Sequence, residues 1–180
     1  MKAPRAAPPP PKDVVTGPFD DPAALPPRVA ALRAKILEAC AKRDVEALAV
    51  PIQWAETPPV FARGPERPRN FAEIVDFLKR RSFDRNGAEM VAILRAVLEA
   101  PYARLRRGAF ESYVFPALAV VAPQESAGGA TGEARAALWR FVRFADLRAD
   151  QEERPLVHRA VIGADGTWHS FLAEPVTAPV

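Results

Sequence analysis

Residues Val157–Ala173, VHRAVIGADGTWHSFLA, constrain the fold more than any other stretch of the chain. An Asp-Gly pair accepts positive φ at both central positions of a tight turn, so Asp165-Gly166 between two alternating runs predicts a β-hairpin. With those two residues as the turn, Gly163 faces Trp168 and Ile162 faces His169. Alternation then places His158, Ala160 and Ile162 on one face with His169, Phe171 and Ala173. Val157, Arg159 and Val161 share the other with Trp168, Ser170 and Leu172. Both faces are mixed, so one is expected to be core and the other a half-covered or pocket face. His158 and His169 are the only histidines. They point the same way but stand about four residues apart along the sheet, or roughly 13 Å. That is too far to share a metal ion or a hydrogen bond. The plain expectation is two polar side chains on a partly exposed face, and the sharper one is a histidine in a ligand pocket.

A chain of 180 residues that is 49% hydrophobic can bury one good core, and a single domain is the natural count. The net charge is +3, but arginine far outnumbers lysine and alanine and proline abound, which fits a GC-rich bacterial genome. The basic balance is therefore no argument for nucleic acid. One cysteine, Cys40, precludes an internal disulfide, and its place on the apolar side of a helix predicts a buried, inert thiol. No apolar run approaches the roughly 20 residues of a membrane helix. As the sequence stands it reads as cytoplasmic, with a periplasmic location following if an N-terminal signal has been removed.

Residues 1–25 read as a Pro-rich flexible leader, 26–175 as one domain and 176–180 as a loose tail. Phe19 and Leu25 are the residues that would dock the leader's far end. Pro26-Pro27 opens a helix in which Val29, Leu32, Ile36 and Ala39/Cys40 recur at helical spacing. Asp44 caps a short second helix that Pro51 stops. Asn70 caps a third, with Phe71, Ile74, Val75 and Leu78 as its stripe and Lys79-Arg80-Arg81 at its end. Ala88–Ala100 is a fourth, and Arg104–Gly108 leads away from it. Ala109–Val121 is strand-like, with Pro116 marking an edge, a bulge or a break. A polar loop, Gln124–Gly132, precedes a helix over about 132–147, and a charged segment, Arg148–Arg154, enters the hairpin.

There is no phosphate loop, nucleophile elbow, zinc motif or cysteine–histidine spacing. No catalytic or metal-ligating residue and no cofactor is therefore assigned. The basic groups Lys79–Arg81 with Arg85, and Arg104, Arg106 and Arg107, lack the aromatic interleaving of a nucleic-acid module and read as solvated helix ends. Trp54, Tyr113, His158, His169 and Phe171 are the candidates for a ligand pocket or contact face. An acid–base site would need Glu111, Asp146 or Asp165 beside a histidine.

The stretch Ala39–Leu48 (ACAKRDVEAL), following an amphipathic helix and opening a short second one, resembles the start of NTF2-like (SnoaL-like) domains. The resemblance covers about a quarter of the chain. It implies a cone-shaped α+β fold with a pocket between sheet and helices, used for small-molecule binding, catalysis or protein interaction. The extra helix at Ala88–Ala100 departs from that pattern. The helix start at Leu25–Ile36, Tyr113-Val114-Phe115-Pro116 and the ending Asp165-Gly166-Thr167-Trp168 together look like a family of uncharacterised proteobacterial proteins, whose members are often exported. The reading is thus an α+β domain, N-terminal helices packed on a small antiparallel sheet closed by the C-terminal hairpin. Its expected function is a non-catalytic binding or protein-interaction module for a protein or small-molecule ligand. The alternative is a small-molecule enzyme with an NTF2-like pocket and a carboxylate/His pair.

Overall fold

In a computed structural model, which describes residues 13–121, 137, 139–146 and 156–175, four helices pack on one five-stranded antiparallel sheet. The strands are β1 (Asp13–Phe19), β2 (Tyr102–Arg107), β3 (Phe110–Phe115), β4 (Leu156–Gly163) and β5 (Trp168–Pro175). Their spatial order is their chain order. The connection from β1 to β2 carries all four helices: α1 (Pro27–Ala41), α2 (Ala49–Gln53), α3 (Phe71–Arg81) and α4 (Ala88–Glu99). This is an α+β fold closed by the β4–β5 hairpin.

The helices form where local chemistry favours them. Pro27 opens α1, whose stripe Val29, Leu32, Ile36, Ala39 and Cys40 is buried. The Asn70 side chain accepts a hydrogen bond from the Glu73 N–H at 2.9 Å, and the Glu73 carboxylate accepts from the Asn70 amide and the Arg69 N–H, so the first turn of α3 is closed from both sides. Asp44 caps a short 3-10 turn, Val45–Leu48, that runs into α2. Pro51 does not stop that helix; it occupies its first turn, where no N–H is needed. Arg33 reaches from α1 to the Leu98 carbonyl at the end of α4, a cation at a helix C-terminus. The inner sheet face (Tyr102, Tyr113, Phe115, Ile162, Phe171) and the helices bury one continuous core.

Besides the placing of Pro51, the structure corrects four expectations. Asp13–Phe19, expected to belong to the flexible leader, is a strand paired with β2, while Leu25 is buried, as its expected docking required. Val14, Val15 and Thr16 give this stretch strand character, and an edge strand tolerates Pro18 because only one side is paired. Tyr102–Arg107 is a strand, not a departure from a helix. Its arginines are a cross-strand ladder: Arg107 forks onto Asp13 at 2.7 and 2.5 Å, and Arg106 meets Glu111 at 3.3 Å. Of the helix expected over 132–147, Ala137 is α-helical, but 139–146 forms two 3-10 turns, Trp139–Phe141 and Phe144–Asp146, broken where Arg143 turns inward to bond Asp146 and the Arg81 carbonyl. Residues 1–12, the loop Gln124–Gly132, the segment Arg148–Arg154 and the tail 176–180 lie outside the described residues.

The fourth correction concerns the hairpin. Gly166 N–H donates to the Gly163 carbonyl and Gly163 N–H to the Thr167 carbonyl, both at 2.9 Å, so the loop is the three residues Ala164-Asp165-Gly166. Gly166, at φ +84°, is the left-handed residue such loops require. Asp165 braces the loop by accepting from the Thr167 N–H at 2.9 Å and hydroxyl at 3.0 Å. Ile162 therefore pairs with Trp168 rather than His169, while Val161 pairs with Ser170 and His158 with Ala173. The surplus residue, His169, is a β-bulge. The bulge turns Trp168 inward to 1% exposure and leaves His169 outside.

Candidate functional site

Beyond the bulge, β5 meets the loop that follows α2. Val60 N–H donates to the His169 carbonyl and Phe171 N–H to the Val60 carbonyl, both at 2.9 Å, a one-residue parallel bridge on the sheet edge. The chain then leaves the edge, and a cavity of about 250 Å³ opens between residues 61–66, α3, Met90 of α4 and the hairpin. Its apolar lining is Phe61, Phe77, Leu78, Met90, Phe171 and Leu172. Phe61 packs edge-on against Phe171 (centroids 6.2 Å apart) and against Trp168 (5.4 Å).

His158 is the buried polar side chain of this lining, only 3% exposed. Its ring lies 5.2 Å from that of Phe171. Nδ1 sits 3.0 Å from the Phe141 carbonyl. A carbonyl can only accept, so Nδ1 carries the proton and Nε2 the lone pair. Burial pushes the His158 pKa down to about 4, against the hydrogen bond to Phe141 and helped by the positive field of Arg143 and Arg81. The ring is therefore neutral near pH 7, a hydrogen-bond acceptor in an otherwise greasy wall.

The rim is charged. Glu174 lies between two guanidinium groups, Arg63 at 2.6 Å and Arg159 from the neighbouring strand. Arg63 thus ties the 61–66 loop to the hairpin. Arg81, exposed in the last turn of α3, lies with its guanidinium carbon 5.7 Å from the Phe77 ring centroid and has no acidic partner within 4 Å among the described residues. Glu66 completes the lining on the loop side.

Of the five candidate residues, the structure brings His158 and Phe171 together in the cavity. The other three lie elsewhere. Trp54 is 57% exposed, with the Lys35 ammonium 3.4 Å from its ring centroid. Tyr113 is buried towards the β1 side of the sheet, its hydroxyl donating to Glu111 at 2.7 Å, and burial followed by that bond raises its pKa to about 12. His169 stands outside because of the bulge. The two histidines therefore do not share a face, and His158 is core rather than partly exposed. Neither histidine has a hydrogen bond to a carboxylate among the described residues. Asp146, near His158, is forked onto Arg143. Asp165 lies near His169 at the hairpin tip, but its oxygens hold Thr167. Burial pushes the Cys40 thiol up to about 12, which leaves it inert.

Phe77 and Arg81 were missed by the sequence reading, which placed the stripe of α3 at Phe71, Ile74, Val75 and Leu78 and Arg81 at a solvated helix end, but a signal for them exists. Positions 74, 77, 78 and 81 stand at i, i+3, i+4 and i+7, one face of α3. Arg63 and Glu174 carry no such signal, since only the fold brings them together. Among the described residues no cluster of three or more metal-binding side chains occurs, and no helix is long and apolar enough to cross a membrane. No protein-family model matches the chain, and neither a curated protein nor a solved structure matches it at a significant level.

Proposed function

We propose that this chain is a non-catalytic binding module whose site is the cavity between α3, residues 61–66 and the β4–β5 hairpin. The observation that carries the reading is His158, a neutral acceptor in an aromatic wall to which no carboxylate among the described residues is bonded. A concave, mostly apolar site with a few fixed polar groups suits recognition of a small molecule. The NTF2-like resemblance would likewise imply a pocket between sheet and helices. An acid–base enzyme would need a proton acceptor held by a second group, and the carboxylates nearest each histidine are spent on Arg143 and Thr167.

The test is a thermal-shift screen of the full chain against small metabolites, with Ala62→Trp alongside. Ala62 is half-buried on the cavity wall, so a bulky side chain there fills the space while disturbing little of the core. Compounds that raise the melting temperature of the wild type are expected to leave the variant unmoved. Equal shifts in both proteins, or none in either, would overturn the cavity as the site. Turnover of a bound compound that is lost in His158→Gln would instead establish the enzyme reading.

A further inference from the structure

We infer that the cavity takes a small aryl carboxylate carrying a ring hydroxyl, an inference that rests on the cavity being the binding site. Size comes first. Benzene, with its six carbons, occupies an apolar cavity of about 150 Å³. By that scale a volume of about 250 Å³ takes about ten non-hydrogen atoms. That count fits one six-membered ring with two short substituents and is too small to enclose a nucleotide or a long acyl chain.

Shape and chemistry follow from the walls. Phe61, Phe77 and Phe171 present ring faces and edges, and the His158 ring extends that surface beside Phe171. Flat rings pack on such walls at favourable offset or edge-on geometries. The two ends of the site ask for opposite polar groups. At the buried end, Nε2 of His158 offers a lone pair, because Nδ1 gives its proton to the Phe141 carbonyl. A ligand group facing it must donate, as a phenolic hydroxyl does. At the mouth, Arg81 holds a guanidinium over Phe77 with no carboxylate against it among the described residues. Arg63 is already bound to Glu174, which Arg159 also contacts. Among the described residues the cation at the opening without an acidic partner is therefore Arg81, and a planar carboxylate suits its fork. A ring with a hydroxyl at one end and a carboxylate at the other satisfies both ends at once.

The experiment is calorimetric titration of the full chain with 4-hydroxybenzoate, benzoate and 4-hydroxybenzamide, repeated on Arg81→Gln and Ala62→Trp. The acid is expected to bind the wild type at least tenfold more tightly than the amide, and more tightly than benzoate, as loss of a charged or a neutral hydrogen bond dictates. Arg81→Gln lies on the surface and should fold; it should erase the preference for acid over amide, and Ala62→Trp should bind none of the three. Equal affinity for acid and amide in the wild type, or a preference that survives Arg81→Gln, would overturn the proposed ligand class. If all three compounds fail while other molecules give shifts that Ala62→Trp abolishes, the ligand class is wrong and the cavity stands. If Ala62→Trp abolishes nothing, both fall.

Discussion

Two hairpins make up most of this sheet, and they spend their residues differently. In β2–β3 the two-residue tip Gly108-Ala109 joins strands whose outer halves carry Arg106, Arg107 and Glu111, and Phe110 at the tip is 79% exposed. In β4–β5 the strands bury His158, Ile162, Trp168 and Phe171, and the only ion pairs among the described residues are those of Glu174 at the far end. Both are antiparallel ladders with a glycine at positive φ in the turn. The difference lies in what stands behind them. Helix α4 packs on β4, and Trp168 and Phe171 of β5 are buried against Phe61, so those strands are held by burial. The tip of β2–β3 extends past the helices and is held by backbone pairing and cross-strand charge. Hydrogen-bonded pairing is similar in the two, so burial is what should set their rank in stability.

The largest test of that ranking is truncation of an aromatic in each hairpin. Trp168→Ala should cost about 3–5 kcal/mol in urea unfolding, whereas Phe110→Ala should stay within about 0.5 kcal/mol. Comparable losses would mean that the tip of β2–β3 is packed against something.

A second test uses protons. The His158 pKa is about 4 in the folded chain against an ordinary 6.5. As pH falls through 6.5 the unfolded chain takes up the proton first, so stability declines until pH reaches about 4 and then levels off for this group. The full loss is on the order of 3 kcal/mol. Chemical unfolding followed from pH 7 downwards should show it, and His158→Gln should flatten the upper part of the curve. The β2–β3 carboxylate Glu111 has its pKa lowered, chiefly by the Tyr113 hydroxyl, so its contribution is lost only at more acid pH. A curve that stays sloped above pH 4.5 in His158→Gln would place the titrating group elsewhere.

The smallest effect belongs to the Asp13–Arg107 pair that ties β1 to β2. Both groups stand in water, and exposed ion pairs are screened and entropically costly. Arg107→Gln is expected to leave the melting temperature unchanged in high salt. A clear drop there would show that the edge depends on this pair.

The same contrast explains what the sequence disclosed. The helices were legible because their caps are local: Asn70, Asp44 and Pro27 act within a few residues of where they stand. The β4–β5 turn was legible because Asp165-Gly166 is a local signal, but the far register, His158 opposite Ala173, matches a two-residue turn only because the bulge at His169 offsets the three-residue loop. β2 was not, because three arginines in six residues hide an alternation that makes sense only beside Asp13 and Glu111. The cavity was half legible. His158 and Phe171 were named as pocket candidates, whereas Phe77 and Arg81 were passed over although they complete an i, i+3, i+4, i+7 row with Ile74 and Leu78. The bridge from Val60 to β5, which carries the 61–66 loop to the cavity, is a single residue with no local sign.

The bulge at His169 bears on the history of the chain. Its two neighbours already occupy regular positions, Trp168 inward opposite Ile162 and Ser170 outward opposite Val161. Take His169 out, and an unbroken alternating strand remains with every core residue in place. The hairpin can therefore be understood as a shorter one that accepted a single inserted residue, the surplus being pushed to the outside. The surplus residue does one thing that a regular strand would not: its carbonyl receives the Val60 amide. Such a position is where related chains would be expected to differ in length by one without differing in core.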